Sequence, residues 1–179
     1  MSRERVVCVF GTGHASQGDD IFDTAMELGF QLASAGYTVA NGGYGGTMLA
    51  SAKGARNAGG QVIGVTCAAF GRAGPNEYVS HEIQTQSLEE RLRTLIQLGD
   101  GYCVLPGGTG TLLELADIWE RRNKRFASPA KPIIIVGEFW NDLIDLMRKV
   151  DPQSIRHVTV AATPREAVGV LVTALNENC

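Results

Sequence analysis

Along the chain, short runs of consecutive apolar residues alternate with longer stretches in which apolar positions recur every three to four residues. The runs are Val6 to Phe10, Tyr37 to Ala40, Gln61 to Val65, Tyr102 to Leu105, Pro132 to Val136 and His157 to Val160. Their near-continuous apolar character predicts strands buried on both faces. Between them, Ile21, Phe22, Ala25, Leu28, Gly29 and Leu32 share one face of a helix over Asp20 to Ala35. Met48 to Ala58 predicts a helix of small residues able to lie close on a sheet, and glycines stop both helices.

Ser87 with Glu90 forms a capping-box pair opening a helix to about Leu98, and Thr163, Pro164 and Glu166 mark the start of the last helix. Leu112 to Arg125 predicts a further helix, whose Leu115, Ile118 and Trp119 suit either the sheet or a subunit interface. Residues 67–86, with Gly71, Gly74, Pro75 and Asn76, are the least regular and predict a surface loop plus a short strand. Strands alternating with helices imply an α/β fold. The expected architecture is a single Rossmann-like, doubly wound domain over residues 1–179, with a mostly parallel sheet flanked by helices.

Composition narrows the functional classes. The 179 residues are 44% hydrophobic and 20% charged, with a formal charge of −3, which suits a soluble globular protein. Mild acidity lacks the cationic footprint of a nucleic-acid binder, so a bound nucleotide is expected to be small. No stretch approaches a membrane span, and the start runs straight into an apolar strand rather than a signal peptide. Cys8, Cys67, Cys103 and Cys179 form no C-x-x-C pair and have no His at zinc-ligand spacing. The expectation is a reduced, cytoplasmic protein with no metal and no cofactor.

The 22 glycines are the outlying feature, because Gly carries an entropic cost and is favoured where the chain turns tightly or approaches something closely. Three clusters follow strands: Gly11-Thr12-Gly13-His14, Asn41-Gly42-Gly43-Tyr44-Gly45-Gly46, and Pro106-Gly107-Gly108-Thr109-Gly110-Thr111. Strand-to-helix loops lie at the carboxyl edge of such a sheet, so all three converge where ligands bind. In the third, backbone N–H groups at a helix start suit an anion, with Thr109 and Thr111 adding hydroxyl donors. No Walker lysine follows, and the first loop lacks the dinucleotide spacing G-x-G-x-x-G, so a single phosphate suits the site better than ATP or NAD. Glu114, about one turn into the following helix, and Arg91, near the start of the preceding one, are expected to face the same pocket. His14 is a loop histidine with or without a ligand role, and Tyr44 either covers a base or shields the sheet edge.

These residues resemble the LOG (Lonely Guy) family, long labelled lysine decarboxylase-like. Its motif P-G-G-x-G-T-x-x-E is matched by Pro106 to Glu114. Its element G-G-x-x-G-x-M looks like Gly42-Gly43-Tyr44-Gly45-Gly46-Thr47-Met48, and Gly59 to Val65 also has the family pattern. The resemblance spans nearly the whole chain. It implies a phosphoribohydrolase that splits the N-glycosidic bond of nucleoside 5′-monophosphates, notably cytokinin nucleotides, with catalytic Glu114 and a catalytic Arg fifteen positions before Pro106, which is Arg91. It further implies ligand contacts from Gly11, Thr12, Gly42, Gly43, Gly46, Met48, Gly107, Gly108, Thr109, Gly110 and Thr111, and a homodimer or higher homo-oligomer. Asp100 also matches a common family position. Leu92 stands where the family commonly has Lys, and Phe10-Gly11-Thr12-Gly13 replaces its usual C-G-S-S. A related branch resembles molybdenum-cofactor carriers, which bind a phosphorylated pterin without chemistry. Lysine decarboxylation is not expected, because none of Lys53, Lys124, Lys131 and Lys149 is placed as a Schiff base near the glycine loops.

Overall fold

A computed structural model describes residues 4–126 and 131–177. Within them the chain runs β1 (Val6–Phe10), α1 (Asp20–Ser34), β2 (Thr38–Asn41), α2 (Thr47–Asn57), β3 (Val62–Cys67), β4 (His81–Thr85), α3 (Leu88–Leu98), β5 (Gly101–Val104), α4 (Thr109–Asn123), β6 (Ile133–Val136), α5 (Asn141–Val150), β7 (Val158–Ala161) and α6 (Pro164–Glu177). The strands form one sheet in the order β4-β3-β2-β1-β5-β6-β7. Every pairing is parallel. The α/β doubly wound fold expected from the alternating pattern is therefore present, with a sheet that is wholly rather than mostly parallel. The short strand expected within 67–86 is β4, an edge strand whose residues are mostly exposed.

Alternate residues of each strand feed two apolar layers, as the two-residue period requires. Val7, Val9 and Val39 pack with Phe22, Leu28 and Leu32 of α1, the alanines of α2 and Leu171 of α6. Cys8, Phe10 and Val104 pack on the other face with Leu95 of α3, Leu115, Ile118 and Trp119 of α4 and Ile144 of α5. This settles the two readings of the α4 stripe: Leu115, Ile118 and Trp119 are buried against their own sheet. Leu112 and Leu113 on the same helix stay exposed.

The local signals work as expected, with small shifts. Gly36 and Gly59 take positive φ after α1 and α2, a conformation that favours glycine. Ser87 Oγ accepts from Glu90 N at 3.2 Å, and Glu90 reaches back to Gln86 N at 2.8 Å, one residue before the usual partner. Thr163 and Glu166 repeat that arrangement ahead of α6. α4 begins at Thr109 rather than Leu112, because Gly108 is its N-cap and the threonines of the glycine motif are already helical. Cys8, Cys67 and Cys103 are free and buried, while Cys179 lies outside the described residues. Among the described residues no helix is long and apolar enough to cross a membrane.

Candidate functional site

The strand order reverses between β1 and β5: the chain winds outward from β1 to β4 on one side and from β5 to β7 on the other. At such a switch point the loops after the two central strands diverge and leave a crevice at the carboxyl edge. Here the crevice is a cleft of about 310 Å³ lined by the loop after β1, the start of α4, and side chains from α2, α3 and the segment after β3.

Gly11, Thr12, Met48, Arg91, Gly108, Thr109, Gly110, Thr111 and Glu114 all line it. Gly42, Gly43, Gly46 and Gly107 do not, and each is required by the chain's own packing. A Cβ on Gly42 would fall on the Arg91 guanidinium, and one on Gly107 would fall on Thr111. Gly43 and Gly46 have positive φ, and a Cβ on Gly46 would meet the carbonyl of Thr12. The buried Asn41 organises this second loop, accepting from Gly43 N at 2.8 Å and donating to Met48 O at 2.9 Å. The first N–H of α2 also goes to Thr12 O, at 2.9 Å, so that helix start is tied to the β1 loop.

The start of α4 differs. Its N-cap Gly108 supplies no side-chain bond to the first turn, leaving the leading N–H groups directed along the helix axis. Neither Gly108 nor Gly110 has a positive φ, and a Cβ on either would meet nothing within 4 Å. The fold gives no reason for a missing side chain at these two positions. Open space over a helix N-terminus flanked by Thr109 and Thr111 fits the close approach of an anion to the backbone.

Arg91 and Glu114 come from α3 and α4 and meet across the cleft, with Nη1 4.0 Å from Oε1. That separation is beyond hydrogen-bond length. Arg91 is fixed by its Nε, which donates to Val65 O at 2.8 Å, and by rings of Phe70 and Tyr44 within 6 Å. Glu114 makes no hydrogen bond to any described residue, and its side chain is 13% exposed. Burial pushes its carboxyl up to about 7, against the opposing pull of Arg91. A carboxyl poised near neutrality, unbonded and lining the cleft, can exchange a proton with a bound molecule. Buried Cys8 and Cys103 are no rivals as nucleophiles, since desolvation raises both thiols far above neutrality.

Asp100 lies away from the cleft and ties strands, accepting from Val6 N at 2.9 Å. His14 and Tyr44, left open by the sequence, both line the cleft. Tyr44 is anchored through its hydroxyl, which accepts from Cys67 N at 2.8 Å and donates to Cys67 O at 3.3 Å. Phe70, Arg72 and Leu88 join them, and nothing in the sequence singled these out. Gly71 punctuates a turn there, but the turn's direction is a tertiary outcome: Asn76 N bonds to Gly43 O at 2.7 Å and folds residues 68–79 back over the second glycine loop. Among the described residues, no lysine lines the cleft.

Comparison with known proteins gives three kinds of likeness. The family described as "Possible lysine decarboxylase" matches residues 48–171. A rice protein named "Probable cytokinin riboside 5'-monophosphate phosphoribohydrolase" is 31% identical over 172 residues, covering 90% of this chain and 74% of its own. A "Cytokinin riboside 5'-monophosphate phosphoribohydrolase" of Mycobacterium tuberculosis is 30% identical over 174 residues, covering 91% and 89%. Among solved structures, the molybdenum cofactor carrier protein of Chlamydomonas reinhardtii superposes with a TM-score of 0.78 at 24% identity, over 97% of this chain and 99% of that one. At that identity the likeness is one of fold.

Proposed function

This chain belongs to the LOG family, the one described as possible lysine decarboxylases, and on that premise we propose that it hydrolyses the N-glycosidic bond of a nucleoside 5′-monophosphate, releasing free base and ribose 5-phosphate. The observation that carries this reading is Glu114: a buried, unbonded carboxyl raised to about 7, beside Arg91 and one turn from a sterically open glycine-lined helix start.

The 5′-phosphate sits on the backbone of Gly108 to Thr111, where the α4 dipole and the Thr hydroxyls favour its charge. This fixes the ribose against Glu114. The carboxylate takes a proton from water as the water oxygen bonds to C1′ and the C1′–N bond breaks; the leaving base takes up a proton from solvent, and Glu114 returns its own to solvent. Its negative charge also favours the oxocarbenium-like sugar of the transition state. Arg91, a guanidinium with five donors and no acceptor, positions phosphate and carboxylate. The step uses no metal and no organic cofactor. The protein acts as one domain over residues 1–179, in the cytoplasm, as a homodimer or higher homo-oligomer.

The decarboxylase description is not extended to this chain. Pyridoxal phosphate is held as a Schiff base on lysine, and Lys53, Lys124, Lys131 and Lys149 all lie outside the cleft.

Incubation of purified protein with AMP and with N6-isopentenyl-AMP, followed by chromatography for free base and ribose 5-phosphate, tests the proposal. Release is expected from the wild type and a loss of at least about 100-fold from Glu114→Ala. Release no faster than from Glu114→Ala with every monophosphate tried would overturn it. Saturable binding without turnover would instead favour a carrier of a nucleotide or phosphorylated pterin.

A further inference from the structure

The proposed reaction leaves one end of the cleft unassigned. Across the carboxyl edge the loops follow the strand order: Phe70 and Arg72 after β3, Tyr44 after β2, Gly11 to His14 after β1, and Gly108 to Thr111 after β5. Three strand spacings separate the first of these from the last, roughly 14 Å. A nucleoside monophosphate bridges that span once hydrogen-bond lengths at both ends are counted. With its phosphate at the start of α4, its base points toward β3.

The groups waiting there have one character. The Arg72 guanidinium lies over the Tyr44 ring, 4.8 Å from its centroid, and none of its donors is taken by a described residue. It differs in this from Arg91, whose Nε is held by Val65 O. Tyr44 Oη is occupied in both directions by the Cys67 backbone, and Phe70 and Leu88 carry no polar atom. Arginine has five N–H donors and no acceptor. Apart from Tyr44 Oη and the Met48 thioether, the side-chain acceptors that line the cleft, Glu114, Thr109 and Thr111 among them, come from α4 and the β1 loop at the phosphate end.

We infer that Arg72, seated on the Tyr44 ring, recognises the acceptor edge of a 6-oxopurine, so that guanosine and inosine 5′-monophosphates are preferred to adenosine 5′-monophosphate. The inference rests on the proposed hydrolysis for its orientation of the ligand. O6 and N7 of a 6-oxopurine are two adjacent acceptors matching a guanidinium fork, whereas adenine places an N6 donor beside N7, so that N–H faces N–H. The Tyr44 and Phe70 rings, 6.1 Å apart and tilted by 45°, supply an aromatic wall for the base.

The test is kcat/KM for GMP, IMP and AMP with wild type, Arg72→Leu and Arg72→Lys. The wild type is expected to favour GMP and IMP over AMP by about ten-fold or more. Arg72→Leu is expected to bring that ratio close to one by lowering kcat/KM for GMP and IMP more than for AMP, and Arg72→Lys to recover part of it. Equal or better turnover of AMP by the wild type, or a parallel fall for all three nucleotides in Arg72→Leu, overturns the inference. If no nucleotide is cleaved, the hydrolysis itself fails, and the base preference is read by calorimetric titration of the same three proteins with GMP and AMP. Tighter GMP binding that disappears in Arg72→Leu sustains the inference; equal binding, or none, overturns it.

Discussion

At the residue scale, two positions connect packing to chemistry. Glu114 costs the fold stability because its charge is buried: a rise from 4.5 to about 7 corresponds to about 3 kcal/mol. Below about pH 4.5 the carboxyl is protonated whether folded or unfolded, and the penalty is absent. It grows as pH rises toward 7 and is constant above. Glu114→Gln is therefore expected to stabilise the protein by about 2–3 kcal/mol at pH 8 and by almost nothing at pH 4.5. Urea unfolding at the two pH values measures this. The same carboxyl, acting as a base, predicts activity that falls as pH drops through about 7. Gly42 is the second position, since its missing side chain makes room for the Arg91 guanidinium. The obstacle is the far end of a flexible side chain, so Gly42→Ala should displace Arg91 and lose at least about ten-fold in activity while its melting temperature changes little. Parallel loss of both would contradict this. The motif made Glu114 and Arg91 legible from sequence, and the glycines too, but not their separate tasks. Whether a glycine faces a ligand or a neighbouring side chain depends on what is brought to it from elsewhere.

At the element scale, α1 and α2 pack so closely that backbone touches backbone. A Cβ on Gly29 would fall on Ser51 O, and one on Gly54 on Met26 O. Unlike the Arg91 side chain, these carbonyls belong to intact helices and have nowhere to move. Gly54→Ala, which raises intrinsic helix propensity by about 1 kcal/mol, should nonetheless destabilise by about 3 kcal/mol or more through overpacking. Chemical denaturation monitored by circular dichroism decides the sign. The periodicity of the chain foretold both helices and the small-residue character of the second, because caps and apolar spacing are local. It did not foretell that the glycine-led starts of α2 and α4 differ in use. The first N–H of α2 is tied to Thr12, while the α4 start opens into the cleft. Capping by a distant carbonyl leaves no trace in the residues being capped.

At the scale of the whole molecule, placing β1 beside β5 brings together a loop at residues 11–14 and a helix start at 108–111, and α3 then delivers Arg91 to the same crevice. Leu112 and Leu113 of α4, Phe139 just before α5 and Leu146 within it remain exposed. If the chain assembles as its family resemblance implies, burying these apolar side chains would favour the interface. Light scattering is expected to give at least a dimer, and Leu113→Glu to shift it toward monomer; a monomeric wild type would refute the assembly. What the sequence by itself determined is the alternation of strands and helices, the fold class that follows, and the two charged residues flanking a glycine-rich helix start. These rest on interactions within a few residues, which periodicity, caps and turn chemistry record. Only the tertiary structure decided the strand order, the burial that raises Glu114, the assignment of each glycine to packing or to the cleft, and the arrival of Arg72 over Tyr44. Each of these depends on contacts between segments far apart in the chain, and desolvation in particular belongs to the assembled surroundings of a group rather than to the group itself.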